Sequence, residues 1–370
     1  MQLNEEIIKE FLELTSIDSE SFQERAMADM LTRKLKDLGF DVYEDDAGRK
    51  YGSETGNIYG YLPGTTDGEP LLFSAHMDTV RPGIGKKPSL HPDGTITSDG
   101  TTVLGADDAA GLAEILTALC RIILSGDPHR PVEVLFPIAE EVYIKGSSAF
   151  DYSRIRSKQA YVLDMSGDVG SAAVKAPSLI KFRVTVTGKA AHAGFSPALG
   201  INALEVMCKA VASLKQGQVD DETTFNIGKL SGGTALNIVP EKAECIGETR
   251  SFSHKKVLRQ IELMTAAFNE EANAAGASVS IETETILEAY ELSENEPVIS
   301  RFRNACANLG LKGELRYTLG GSDNHNFIKN GIRGVVISCG MYNVHSTREY
   351  IKAEELIRGA ELVAELIRSL

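Results

Sequence analysis

Five side chains able to bind metal are spread along this 370-residue chain: His76, Asp107, Glu141, Asp164 and His345, with Glu140 directly before one of them. Two imidazoles and three carboxylates suit a pair of divalent ions of the Zn2+ type, and the same donors serve Co2+ or Mn2+. Glu140 is a spare carboxylate beside them, suited to act as a general base on water at the ions. The chemistry this set points to is hydrolysis. Charge agrees: Asp107, Glu141 and Asp164 carry about −3, two dications bring about +4, and one hydroxide brings the sum near zero. Without ions, carboxylates packed together would repel and their pKa values would rise. Asp78, two residues after His76, has a separate task. A metal-ligating imidazole needs its other ring N–H fixed, and the spacing His-Met-Asp lets a carboxylate do it.

Each group also has an ordinary structural reading. Asp107 and Asp108 could cap a helix, Glu140 and Glu141 could form a solvated turn, and His76 could be a hydrogen-bonded core histidine. What argues against chance is where they fall. His76 ends the apolar run LLFSAH, Glu140 and Glu141 end LFPIA, and Asp164 ends AYVL. His345 follows GVVISCG after a short loop, and Asp107 opens a helix after VLGA. In open α/β sheets ligands bind outside the carboxyl ends of the strands, so one sheet edge would gather all of them.

The elements that must do this positioning follow from periodicity. Helical spacing runs over 4–15 and 20–38, with Asp18 or Ser19 as cap of the second helix and Gly39 as its stop. Strands are expected at 70–76, 131–139, 160–163 and 334–340, a loop at 81–104, and helices at 107–124 and 353–370. Strands alternating with helices give a mixed or parallel α/β sheet. Residues 178–288 have another rhythm: strand 179–188, helix 201–214, strands 223–232 and 241–252, helix 254–274, strand 277–285. That β-α-β-β-α-β order is the ferredoxin-like split unit. The expected layout is an α/β domain built from 1–177 and 289–370, interrupted by a small α+β domain at 178–288.

Bulk properties narrow the partners. With a formal net charge of −14, nucleic acid is not expected to bind. No apolar run is long enough to span a bilayer, and the acidic, amphipathic MQLNEEIIKEFLEL is unlike a secretory signal. Cys120, Cys208, Cys245, Cys306 and Cys339 are dispersed, which reads as reduced thiols of a cytoplasmic protein.

The ordered segments SAHMDTV, LGADDAAGLAEILTAL, AEEVYIKG, VLDMSG, AHAG, LGGSDNHNF and GMYNVHSTREY resemble the M20 family of metallopeptidases, and within it the peptidase T group. The resemblance spans nearly the whole chain and makes 178–288 the lid and dimerisation domain. It implies that His76, Asp107 and Asp164 hold one ion, and that Asp107, Glu141 and His345 hold the second, with Asp107 bridging. Asp78 would orient His76, and Glu140 would take a proton from water and return it to the leaving amine. The resemblance also implies a cis peptide between Asp107 and Asp108. His192 would stabilise the oxyanion, and Asn237 would hydrogen-bond the substrate carbonyl. Arg250 would bind the substrate's terminal carboxylate, and Gly320, Gly321 and Ser322 would form a close-approach substrate loop. The implied substrate is a short peptide, foremost a tripeptide cut from its amino end. The same centre would also serve a carboxypeptidase, a dipeptidase or an N-acyl-amino-acid deacylase. A non-catalytic metal-binding scaffold or a metal-dependent phosphatase is the reading from another class. The lid strands offer an edge for a homodimer, across which His192 could act.

Overall fold

The computed structural model describes residues 2–369. In chain order the first stretch is α1 (Gln2–Thr15), α2 (Arg25–Asp37), β1 (Asp41–Glu44), α3 (Ala47–Tyr51), β2 (Ile58–Leu62), β3 (Leu71–Ser74), β4 (Ser89–Leu90), β5 (Thr95–Thr97), α4 (Ala106–Ser125), β6 (Val132–Phe136), α5 (Lys145–Ala149), β7 (Gln159–Met165) and β8 (Ser171–Ala176). Then come β9 (Ser178–Thr187), α6 (Ala203–Ser213), β10 (Gly217–Asp220), β11 (Thr223–Gly232), β12 (Lys242–Ser251), α7 (His254–Ala275), β13 (Ser278–Leu287) and β14 (Tyr290–Glu291). The chain closes with α8 (Pro297–Asn308), β15 (Glu314–Tyr317), α9 (Asn324–Lys329), β16 (Arg333–Ser338), β17 (Met341–Tyr342), β18 (Tyr350–Lys352) and α10 (Ala353–Arg368). The last residue of the expected closing helix, Leu370, lies outside the described residues.

The chain divides into two units. One comprises the residues up to 174, 292–317 and those from 321 on; the other comprises 175–291 and 318–320.

The first unit is built on the sheet order β1-β2-β6-β3-β7-β16-β8. Its centre is parallel: β6 with β3, β3 with β7, β7 with β16. Parallel strands covered on both faces should read as unbroken apolar runs, and β3 and β6 are buried at every residue. One layer of cover is α4, buried along most of its length, with α1 and α10 packed against it. Gly111 lets α4 come close to β7, since a Cβ there would lie 2.6 Å from the Leu163 carbonyl oxygen. On the other side of the sheet, Leu72, Leu135, Val162 and Val336 pack with Phe150 and Phe327. A small antiparallel sheet, β17-β18-β5-β4, lies in the same unit.

One helix start differs from expectation. The helix of 20–38 begins at Arg25, with Glu24 at the N-cap position and no side-chain cap bond. Asp18 and Ser19 are drawn away by tertiary hydrogen bonds: Asp18 accepts the Gly85 N–H (2.7 Å), and the Ser19 carbonyl accepts the Thr79 N–H (2.9 Å). The expected stop at Gly39 sits at φ +87°, the left-handed value that favours glycine.

The second unit is a five-stranded antiparallel sheet, β10-β11-β12-β9-β13, with α6 and α7 on one face. Leaving out the short edge strand β10, its order is the ferredoxin-like one. Its core joins Phe182, Val184 and Val186 of β9 to Met207, Phe225, Met264 and Phe268. Phe182 and Phe225 stack with ring centres 5.1 Å apart.

Candidate active site

The strands of the first unit end where the sequence placed its ligands. His76 lies just past β3, Glu140 and Glu141 past β6, Asp164 near the end of β7, and His345 between β17 and β18. Asp107 stands at the start of α4, where Asp107 and Asp108 have non-helical backbone angles and the bond between them is cis.

These side chains converge. His76 Nε2 is 3.0 Å from Asp107 Oδ1 and 3.9 Å from Asp164 Oδ1. His345 Nε2 is 3.1 Å from Asp107 Oδ2 and 3.0 Å from Glu141 Oε1. The two oxygens of Asp107 therefore face different imidazoles, the disposition a bridging carboxylate needs. Ligand atoms of His76, Asp107 and Glu141 lie within 4.8 Å of one another, as do those of His76, Glu140 and Asp164. Glu140 thus shares a cluster with His76 and Asp164. The side chain of His76 is 1% exposed and that of His345 is 52% exposed, so the cluster opens to solvent beside His345.

The electrostatics are those of crowded, largely buried carboxylates facing two imidazoles. Burial, then the neighbouring Asp107, pushes the Asp164 carboxyl well above the usual range. Burial, then Asp164, does the same to Glu140. Burial alone would also raise Asp107, but hydrogen bonds from His345 and His76 outweigh it and hold Asp107 well below the usual range. The same bonds, to Asp107 and Glu141, push His345 up to about 11. Crowded acids kept apart only by protonated imidazoles fit a pair of divalent ions by charge and donor type.

Asp78 is placed differently from the simplest expectation. His76 Nδ1 is nearest the Asp78 main-chain carbonyl, at 2.9 Å, while the carboxylate Oδ1 is 3.5 Å away. An Nδ1–H held by that carbonyl leaves Nε2 as the ligand atom. The carboxylate accepts the Glu140 N–H (2.9 Å), the Glu141 N–H (3.2 Å) and the Ser21 hydroxyl (2.7 Å). Its principal contacts are thus to the backbone of the two glutamates.

Non-glycine residues with left-handed backbone concentrate here. Ala139 (φ 52°), Tyr143 (76°) and Ile144 (46°) are in the Glu140–Glu141 loop, and Asn343 (52°) and His345 (60°) are in the β17–β18 connection. Such conformations cost roughly 1–3 kcal/mol each and persist where surrounding bonds over-determine them.

Three contributors have no site role in the sequence reading. Glu349, buried, accepts the Gly105 N–H (2.7 Å) and the Asp107 N–H (2.9 Å). Asp108 accepts the His76 N–H (3.0 Å). Asp323, buried, accepts the Ser147 hydroxyl and is pushed up to about 6 by burial. All three lie inside quoted segments, and only their acidic type beside a ligand could have marked them.

The remaining expected residues lie elsewhere. In the second unit, His192 Nδ1 accepts the N–H groups of Gly194 and Phe195 (3.1 Å each), and its ring packs on Phe195 at 4.2 Å. A neutral ring held that way carries its proton on Nε2, free to donate outward. His192 is bridge-paired with Ile238, and Ala193 N–H donates to the Asn237 carbonyl (2.9 Å), so His192 and Asn237 are neighbours. Arg250 donates to Glu248 (2.8 Å) and to the Leu319 carbonyl (3.0 Å), which occupies part of its fork. Gly320 and Gly321 are exposed and neither has a left-handed backbone. Ser322 is buried, and its carbonyl lies 3.1 Å from His325 Nδ1.

Two imidazoles and four carboxylates, four of these six groups at the carboxyl ends of β3, β6 and β7 or just past them and the rest brought in by the start of α4 and the β17–β18 connection, define a site of the metal-hydrolase class. Comparison with known proteins carries this further. The model of the M20 peptidase dimerisation domain matches residues 174–275, and that of peptidase family M28 matches 57–205. The aminopeptidase PepT of Bacillus cereus is 38% identical, with a TM-score of 0.91, over 99% of this chain and 98% of that one. A tripeptidase of Staphylococcus aureus is 34% identical, with a TM-score of 0.94 and the same coverage of both chains. The Bacillus subtilis protein YqjE, itself uncharacterized, is 38% identical over 361 residues, 98% of this chain and 97% of its own. The chain belongs to the M20 peptidases, in their peptidase T branch.

Proposed function

We propose that this protein is a metal-dependent aminopeptidase that hydrolyses tripeptides. The observation that carries the reading is the single cluster of His76, Asp107, Glu141, Asp164 and His345 with Glu140 beside it. The kinship to PepT and to a tripeptidase selects the substrate.

In this reading His76, Asp107 and Asp164 would hold one divalent ion, and Asp107, Glu141 and His345 would hold the other. The ions are Zn2+, with Co2+ and Mn2+ as substitutes. When bound, such ions polarise the scissile carbonyl and make water acidic enough to lose a proton near neutral pH. Glu140 takes that proton and returns it to the leaving amine. The Nε2–H of His192 is the donor we assign to the oxyanion, with Asn237 beside it as a further hydrogen-bonding group. Arg250 is assigned to the peptide's terminal carboxylate through the guanidinium edge its internal bonds leave free. Gly320, Gly321 and Ser322 remain assigned to the substrate loop.

A homodimer through the inserted unit is supported by the dimerisation-domain match and by the outer edge of β13. Five free thiols fit a reducing, cytoplasmic setting. Among the described residues no helix is long and apolar enough to cross a membrane.

The test is a matched panel of free tripeptide, free dipeptide, N-acetylated tripeptide and N-acyl amino acid, with Zn2+ and then with a chelator. Chelator-sensitive cleavage confined to the free tripeptide is expected. Turnover of the N-acyl amino acid alone would move the protein to the deacylases.

A further inference from the structure

Strand β6 ends at Phe136, immediately before Pro137, and there the sheet ladder stops supplying acceptors. The next four residues are Ile138, Ala139, Glu140 and Glu141, all buried or nearly so, and their N–H groups need partners. Every one finds a side chain from elsewhere. Asn57 Oδ1 accepts from Ile138 (3.1 Å) and Glu24 Oε1 from Ala139 (3.0 Å). Asp78 Oδ1 accepts from Glu140 (2.9 Å) and Asp78 Oδ2 from Glu141 (3.2 Å). Asn57, Glu24 and Asp78 are each at most 1% exposed.

Glu24 is the member of this clamp that holds the residue directly before Glu140. Its Oε1 also accepts the Phe22 N–H (2.8 Å), and its Oε2 accepts the Ser53 hydroxyl (3.3 Å). Both residues whose N–H it takes, Phe22 (φ 72°) and Ala139 (φ 52°), have left-handed backbone. The side chain thus fixes the turn immediately before Glu140 from a helix start more than a hundred residues earlier in the chain.

From this geometry we infer that Glu24 is a positioning residue for Glu140: by holding the Ala139 N–H it sets the direction in which the general base leaves the backbone. The inference rests on the role proposed above for Glu140. It calls for an acceptor of this reach more than for a charge. Burial, then the nearby Asp78, pushes the Glu24 carboxyl up to about 7, so near neutral pH a neutral amide of the same shape is a fair stand-in.

The experiment compares Glu24→Gln, Glu24→Asp and Glu24→Ala in the metal-loaded full-length protein. It records kcat, KM, bound metal and thermal midpoint, each also in the Glu140→Ala background. Displacing a reacting group by about 1 Å can cost about a hundredfold in rate. Glu24→Asp, which keeps charge but loses reach, and Glu24→Ala should each lower kcat by about ten- to a hundredfold, with KM and bound metal unchanged. Glu24→Gln should recover most of the rate. In the Glu140→Ala background none of the three should lower the residual rate further. The inference is overturned if Glu24→Asp keeps the parent kcat per bound metal, if Glu24→Gln is as impaired as Glu24→Asp, or if the losses multiply with that of Glu140→Ala. If instead Glu140→Ala alone retains near-parent turnover, the base assignment fails first and takes this inference with it, and that outcome is read from a separate arm. Should Glu24→Ala not fold, the Asp and Gln variants decide alone.

Discussion

Glu349 accepts the backbone N–H of Asp107 at 2.9 Å and that of Gly105 at 2.7 Å, and so ties the loop that carries His345 to the start of the helix that carries Asp107. Neither contact involves a metal ligand's side chain, yet both fix where Asp107 points. Support of this kind typically changes metal affinity by about ten- to a hundredfold when removed. Glu349→Ala is therefore expected to weaken metal binding by that amount, measured by competition with a chromogenic chelator. Glu349→Gln, which can still accept a hydrogen bond, should lose less. Equal affinity in Glu349→Ala and the parent protein would remove the supporting role.

Glu140 and Glu141 are adjacent but have been given different tasks, and substitution separates them. Glu140→Ala should bind two ions per chain and lose at least about a thousandfold in kcat, in line with loss of a general acid–base group. Glu141→Ala should lose one ion per chain as well as turnover. Metal analysis by mass spectrometry beside steady-state kinetics checks both. If Glu140→Ala also loses an ion, Glu140 is a ligand.

Loading the centre should expel protons. In the ion-free chain His345 is raised to about 11 by Asp107 and Glu141, so near neutral pH its ring is protonated and must deprotonate to ligate. Calorimetric titration with Zn2+ in buffers of different ionisation enthalpy reads this directly. The apparent enthalpy should change with buffer in the sense of proton release, and His345→Ala should reduce the dependence. A buffer-independent enthalpy would contradict the charge arrangement described for the ion-free centre.

Lys86 is a buried cation outside the cluster. Its ammonium donates to the Ile17 carbonyl (2.6 Å), and burial pulls it down from 10.5 to about 8. Between pH 8 and 10.5 the unfolded chain binds more protons than the folded one at this site, so stability should rise with pH across that window. The cost of burying the charged form, in full below pH 8, is at most about 3 kcal/mol. Thermal midpoints of the parent and of Lys86→Met, taken from pH 7.5 to 10, should converge as pH rises. Parallel curves would show that Lys86 does not titrate in this window.

The members of the cluster were legible in the sequence because parallel strands buried on both faces read as plain apolar runs, and the residue after each run is easily found. His76 after LLFSA and Glu140 after LFPIA are of this kind. The inserted unit was legible because β9 and β12 alternate cleanly between buried and partly buried positions. The strands β4, β5, β17 and β18, of two or three residues each, are too short to carry a period, although the last two frame His345. The cap of α2 was misplaced because Asp18 is engaged by Gly85, a partner that no local rule can see. Glu24 and Glu349 were overlooked for the same reason: each acts through backbone N–H groups far away in the chain.

The interrupted first unit has a consequence for biosynthesis. His76, Asp107, Glu141 and Asp164 are all translated before the inserted unit, whereas β16, His345, Glu349 and the covering helix α10 follow it. The contact of Glu349 with Asp107 spans 242 residues. A nascent chain emerging from the ribosome therefore carries most of the proposed ligands and the proposed base while its sheet lacks β16. The inserted unit, whose strands and helices are contiguous apart from 318–320, can close in the meantime. On the roles proposed here, hydrolytic competence is deferred until the residues that follow the inserted unit are made, so a chain stalled or cleaved before His345 would be inert toward peptides around it.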